Sequence, residues 1–362
     1  MIPSLKITLA GFNDQYSWDS YVLGHPLGIA YQLYGFRHAM ERAYGLKGSY
    51  FIARKGGKIV GVLPLVHFSI PGTRGSLLSL PYCDAAGPLA DTAAIEKRLV
   101  VHGVAYAGEN RIHELRIRSI APFAGIDPDL TLYSGKARMI LRLPNGPDAL
   151  FPSLKSKVRS QIKKALGHGL RFQIGGKDLL DPFFKIFSEN MRDLGSPVHS
   201  RKWMGQILSG FGNRAHIGIV RLPDQTPVAA GIILCHTQTV SIPWASSLRR
   251  YNYMNPNMLL YWQFLKFSAA GGFLHFDFGR STPGEGTFRF KRQWGAIPRF
   301  LHWGTFKVNV HNPLSLESVK CPSQSNTCLS NSARQYIALG IRQMPVSLSL
   351  GLGGIARRYI SL

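Results

Sequence analysis

Apolar and polar residues alternate over Leu5–Leu9, Tyr50–Arg54 and Lys58–Phe68, the period-two pattern of strands, and Gly56-Gly57 predicts a hairpin turn between the last two. His38–Tyr44 reads as the end of a helix or a loop. Leu77–Leu80 predicts a strand broken by Pro81, Ala93–Gly108 carries apolar residues at helical spacing, and Ile112–Ile117 is again strand-like. The second half repeats this order. Ile217–Arg221 and Val228–His236 flank Pro223-Asp224, Thr239–Ile242 is a strand broken at Pro243, Asn257–Ala270 is a helix, and Leu274–Phe278 is a strand. At an offset of 243 − 81 = 162 residues Pro81 meets Pro243, His113 meets His275, and Arg118-Ser119 meets Arg280-Ser281. Identity in that window is sparse, so the repeated element order carries the case for duplication. The prediction is an α/β chain with two similar mixed-sheet domains, 1–145 and 146–310, meeting near the Pro144–Pro147 cluster. A linker and tail follow over 311–362.

One segment concentrates candidate chemistry: HFDFGRSTPGEGTFRFKRQWG, His275 to Gly295. Gly279 ends the strand, Pro283, Gly284 and Gly286 make a loop, and Thr287–Lys291 alternates again, predicting a second strand with Phe288 and Phe290 opposite Arg289 and Lys291. Asp277, Glu285, Arg280, Arg289, Lys291 and Arg292 would then meet at strand ends beside a loop, where pockets form. The plainer alternative is a hairpin with solvated cations.

The net charge of +24 suggests a negatively charged partner class: nucleic acid, an anionic membrane surface or phosphorylated substrates. From Phe151 to Lys177 there are seven Lys/Arg and no acid, and Lys155, Arg159 and Lys163 form one helical row. The four cysteines lack C-x-x-C spacing and no His/Cys cluster appears, so neither a metal nor a disulfide framework is expected. No apolar run reaches the ~20 residues that cross a bilayer, and the N-terminus lacks signal-peptide character, so a cytoplasmic location is expected. Leu314–Ser332 is a linker by composition. Arg334–Leu362 is apolar and basic without an acid, and either lies on the inner face of an anionic membrane or docks onto the domains.

FDFGRST followed by FKRQWG, with KSKVRSQIKKA, ENMRDLGSPVHS and YMNPNMLLYW, resembles the FemAB-like branch of the GNAT acyltransferase superfamily over roughly Trp18 to Trp303. Within it, the chain is similar to the FemAB-related proteins that accompany exosortase/PEP-CTERM sorting and exopolysaccharide systems. A mixed sheet whose fourth strand is broken before a helix is also the GNAT pattern, so the resemblance and the element order both imply two tandem GNAT-like domains. The resemblance implies transfer of an acyl or aminoacyl group to an amine or hydroxyl of a cell-envelope glycan or lipid-linked precursor. It assigns Phe290 to holding the donor's end and Lys291 to stabilising charge in the transition state.

Asp277 would orient a cation or act as base, with structural pairing to Arg280 or Lys291 as the alternative. Arg280, Ser281 and Trp294 would line the site. Asn190 and Arg192, in ENMRDLGSPV, would form a polar wall of the acceptor cleft. Arg249 and Asn257, in the turn before the helix, would face a donor phosphate, with Asn255 as a cap and Pro256 in the first turn. Arg159 belongs to the basic helix that FemAB-like proteins carry at this point. The Gln/Arg-x-x-Gly-x-Gly loop of CoA-binding members is missing, which favours aminoacyl-tRNA over acyl-CoA as donor; an acyl-CoA-dependent N-acyltransferase and a non-catalytic basic scaffold remain the alternatives. No permanently bound cofactor is expected.

Overall fold

The computed structural model describes residues 4–69, 73, 75–123, 132–308, 317–318 and 331–361. The chain folds as two compact units. The first comprises Met1–Ala137, Arg299–Asn326 and Tyr359–Leu362, and the second Arg138–Pro298 and Thr327–Arg358. Measured against the expected partition at 145/146, the cut falls inside a strand, and the strand after residue 298 counts with the first unit. The Ser/Asn/Pro-rich stretch, with Cys321 and Cys328, falls mostly outside the described residues.

The first unit runs β1 (Leu5–Leu9), α1 (Gln15–Gly24), α2 (Tyr34–Tyr44), β2 (Gly48–Lys55), β3 (Lys58–Phe68), β4 (Ser76–Leu78), β5 (Leu89–Ala90), α3 (Ala93–Glu109), β6 (Glu114–Ser119) and the start of β7 (Leu132–Arg142). His38–Tyr44 is therefore the second half of a full helix. β1 to β4 pair antiparallel in order, and β4 pairs parallel to β6 across α3. Phe51, Leu63, Leu65 and Leu115 form the core with Leu99, Val100 and Val104 from α3.

The second unit runs from the end of β7 through α4 (Leu150–Ser153), α5 (Ser156–Gly167), β8 (Arg171–Gly175), α6 (Leu180–Leu194), α7 (Arg201–Phe211), β9 (Ala215–Arg221), β10 (Pro227–Cys235), β11 (Thr239–Ser247), α8 (Pro256–Ala270), β12 (His275–Ser281) and α9 (Gly286–Gln293). β13 (Ile297–Lys307) then leads back to the first unit, where it pairs antiparallel with β6. The sheet order in the second unit is β7-β12-β11-β10-β9-β8, with β11 and β12 parallel across α8. The tail adds α10 (Asn331–Gln343) and α11 (Val346–Arg357).

The two parallel pairs confirm the repeated order but not one ungapped offset. Leu77 faces Leu115, a step of 115 − 77 = 38, whereas Thr239 faces His275, a step of 275 − 239 = 36. Pro243 does not break its strand either. β11 runs on to Ser247, and the register slips between Ile232 and Leu234 of β10, a bulge that accommodates the missing N–H.

Two glycines seat α8 on the sheet. Gly218 of β9 and Gly231 of β10 face each other, and a Cβ on either would come within 2.5 Å and 2.9 Å of the Phe264 ring. Phe264 is fully buried between them with Phe172 edge-on at 5.7 Å. Gly218→Ala should displace Phe264 and destabilise the protein by about 1–3 kcal/mol in chemical denaturation.

His199, between α6 and α7, is buried and stacked on Trp203 at 5.7 Å. Burial first, and the Arg357 guanidinium second, hold its imidazole well below the ordinary 6.5. The folded state therefore binds fewer protons than the unfolded chain below pH 6.5, so stability present above that pH is lost as pH falls. The lowered imidazoles of His38, His102, His216 and His302 act in the same direction. The loss should reach about 1.4 kcal/mol per pH unit for His199, and melting between pH 7.5 and 5.5 should fall less steeply in His199→Phe than in wild type.

Candidate active site

β11 and β12 pair only from Thr239↔His275 to Ser241↔Asp277, although the strands continue to Ser247 and Ser281. Asp277 sits where they part. Its Oδ1 accepts the Gly279 N–H at 2.8 Å, in place of a ladder partner. Gly279 has φ of +75°, a left-handed conformation open to glycine. Oδ2 accepts from Arg138 Nε at 2.8 Å and lies 2.7 Å from Nη2. With both oxygens engaged and only 2% of the residue exposed, Asp277 is a structural anchor in this structure, and its partner is Arg138 rather than Arg280 or Lys291. Arg138 was overlooked in the sequence because KARMILR, now part of β7, carries no motif.

Thr287–Lys291 does not form a strand; it lies in α9. The period-two pattern was ambiguous over so short a run, and aromatic packing decided it. Phe290 and Trp294, one helical turn apart, both reach the Tyr261 ring, at 5.2 Å and 6.2 Å, and Tyr261 stacks on Phe278 at 5.4 Å. Helical geometry also parts Arg289 from Lys291. Arg289 is exposed and donates to the Gly284 carbonyl, while Lys291 is 8% exposed and turns inward. Lys291 Nζ donates to the carbonyls of Gly279, 3.1 Å, and Arg280, 2.8 Å. It thus fastens α9 to the end of β12. The next residue, Ser281, is buried, and among the described residues neither its hydroxyl nor the Trp294 indole N–H has a hydrogen-bond partner.

Lys291, Phe290, Trp294, Asp277, Arg280 and Ser281 are thus gathered on β12 and α9. At the outer end of β11, Asn190 Nδ2 donates to Ser246 Oγ at 3.1 Å, which ties α6 to that strand. Arg192 is turned to its neighbour Asp193, 2.6 Å from Nη2. Arg249 is exposed in the turn before α8, beside Arg250, which pairs with Glu189. Asn257 is half-buried in the first turn of α8. Pro256 occupies that turn as expected, but Asn255 adopts φ of +57° and makes no side-chain cap. Arg159 donates to the Pro152 carbonyl at 3.3 Å. Glu285 is exposed. A cavity of about 150 Å³ lies in the first unit, lined by His25, Gln32, Ser119 and aliphatic groups, rather than beside Lys291.

Residues 152–292 match a family model described as an acetyltransferase (GNAT) domain, a span inside the second unit. No curated protein matches. Among solved structures, FemX is 13% identical with TM-score 0.67, the alignment covering 82% of this chain and 96% of that one. The C-terminal domain of a putative lysylphosphatidylglycerol synthetase from Agrobacterium fabrum is 12% identical with TM-score 0.56, covering 83% and 93%. A tandem GNAT protein of the clavulanic acid biosynthesis pathway is 12% identical with TM-score 0.53, covering 84% and 99%. The fold is therefore a tandem GNAT-like one, with parallel strands across α3 in one unit and α8 in the other.

Arg138→Met would leave Asp277 buried and unpaired. It should cost about 3–5 kcal/mol in urea denaturation. Asp277→Asn, which keeps an oxygen for the Gly279 N–H, should cost less.

Proposed function

We propose that the chain is an acyltransferase whose reaction takes place in the second unit, where β11 and β12 part. One observation carries this reading: Ser281 Oγ is shielded from water and has no protein partner, directly after the strand-end carbonyls that hold Lys291. A dry, unsatisfied hydroxyl on the residue next to a carbonyl that holds a buried cation suits an oxygen that gains negative charge during acyl transfer. The acceptor amine or hydroxyl attacks the donor's carbonyl carbon, the bond from that carbon to the donor's oxygen or sulfur breaks, the acceptor's proton passes to that departing atom, and the ammonium of Lys291 with Ser281 Oγ–H stabilises the transient oxyanion. Phe290 packs the end of the acyl donor. With Asp277 engaged by Arg138 and Gly279, it holds this geometry rather than taking a proton.

An aminoacyl-tRNA donor is supported by α5 and its flanks, where Lys155, Lys157, Lys163, Lys164, Arg171 and Lys177 are exposed without an acid among them. A strip of this kind binds a phosphate backbone in a salt-dependent way. Acyl-CoA is the rival donor, favoured by the acetyltransferase description of the matching model. The acceptor on this reading is an envelope glycan or lipid-linked precursor, in keeping with the lysylphosphatidylglycerol synthetase among the structural neighbours.

Ser281→Ala tests the site because it removes a hydroxyl that bonds to nothing in the protein. Its melting temperature should stay within about 2 °C of wild type or rise, while the transfer rate should fall roughly 10²-fold. Lys291→Ala should lose roughly 10²–10³ in rate and, unlike Ser281→Ala, also lose about 1–3 kcal/mol of stability from the two abandoned carbonyls. Rates are to be measured with envelope extract as acceptor and radiolabelled aminoacyl-tRNA or acetyl-CoA as donor. Wild-type rates in both variants would reject the assignment.

A further inference from the structure

α10 and α11 pack against α6, and they do so with the wrong face for an ordinary surface helix. In α11 the residues turned inward are small. Ser349 and Gly353 are buried, and a Cβ on Gly353 would stand 2.6 Å from the Val198 backbone nitrogen. The large aliphatics point out: Leu348 is 59% exposed, Leu352 55% and Ile355 67%. Their spacing of i, i+4 and i+7 makes them one row. α10 repeats the arrangement. Ala338 approaches Gly195 of the α6 terminus, while Tyr336 and Leu339 stand exposed three residues apart. A helix packed on a water-soluble protein normally buries its aliphatic stripe and shows water its small and polar residues.

The cations say what covers this face. Each row continues into an exposed arginine three residues on, Leu339 to Arg342 and Ile355 to Arg358, although Arg342 Nη2 also reaches the Leu194 carbonyl at 3.5 Å. No Asp or Glu occurs after Glu317. Arg357, in contrast, turns inward to the Pro197 carbonyl at 3.2 Å and is not part of the face. Among the described residues no helix is long and apolar enough to cross a membrane, so aliphatics edged by arginine describe an element lying in the interface. We propose that α10 and α11 form a docking face for a bilayer containing anionic phospholipid, with Leu348, Leu352, Ile355, Leu339 and Tyr336 entering the acyl boundary and Arg342 and Arg358 meeting phosphates. The proposal does not depend on which group the second unit transfers.

The test uses the full-length chain, because removing the tail would strip cover from α6 and would also delete Ser361, which bonds Arg118 in the first unit. Wild type should co-sediment with vesicles of phosphatidylglycerol and phosphatidylcholine at low salt, and much less with phosphatidylcholine alone. A Leu348→Gln/Leu352→Gln/Ile355→Gln variant should keep its melting temperature, since the replaced groups are exposed, and lose roughly tenfold or more in vesicle affinity. Arg342→Gln/Arg358→Gln should bind anionic vesicles more weakly while leaving the residual binding to neutral ones unchanged. Wild-type vesicle binding by the triple glutamine variant would overturn the proposal and place binding on another basic surface. So would a dimer of the wild type, seen by sedimentation velocity, that the same variant dissolves while wild type ignores vesicles.

Discussion

Everything at the candidate site depends on how one carboxylate ends a parallel strand pair. A strand that leaves its neighbour must satisfy its backbone groups another way, because unpaired buried amides are costly. Asp277 supplies the substitute: one oxygen takes the Gly279 N–H, the other holds Arg138, and Gly279 supplies the left-handed turn. On the opposite strand Pro243 has no N–H to lose and sits where the β10 register slips. The opening is thus written into three residues. Its far side is closed by Lys291, whose ammonium donates to the carbonyls of Gly279 and Arg280 at the end of β12. The Ser281 hydroxyl and the Trp294 indole N–H, in contrast, have no hydrogen-bond partner among the described residues.

The fold was legible because both of its signals are periodic. Alternation located the hairpins β2–β3 and β9–β10, and helical spacing located α3 and α8, each between two strands. The repeat of that order outweighed sparse identity. The errors fall where a tertiary contact overrules a local one. FRFK alternates, yet the four-residue spacing of Phe290 and Trp294 onto Tyr261 makes it a helix. Pro243 interrupts a ladder bond, yet a bulge in the pairing carries the strand through. Asp277 and Lys291 stood out as charges in an apolar segment. Their partners did not: Arg138 lies 139 residues before Asp277, and backbone carbonyls have no sequence signal. Arg159 stands in a conspicuous row of cations and donates to the nearby Pro152 carbonyl.

The two units also differ in what they leave unused. In the first, Arg118 stands at the end of β6, with its guanidinium over the Trp303 ring at 5.3 Å. It donates to the Cys83 carbonyl at 3.2 Å and, through Nη2, to Ser361 Oγ at 3.0 Å, while the Tyr82 N–H donates to the Ser361 carbonyl. Ser361 thus engages the polar groups at that strand end. The corresponding end in the second unit, after β12, is fastened to α9, a helix only a few residues further on. At each strand end a cation is engaged by protein acceptors, Arg118 by Ser361 and the Cys83 carbonyl and Lys291 by the carbonyls of Gly279 and Arg280, whereas the Ser281 hydroxyl, without a partner among the described residues, gives up no protein bond. That hydroxyl is what the proposal of chemistry in the second unit rests on.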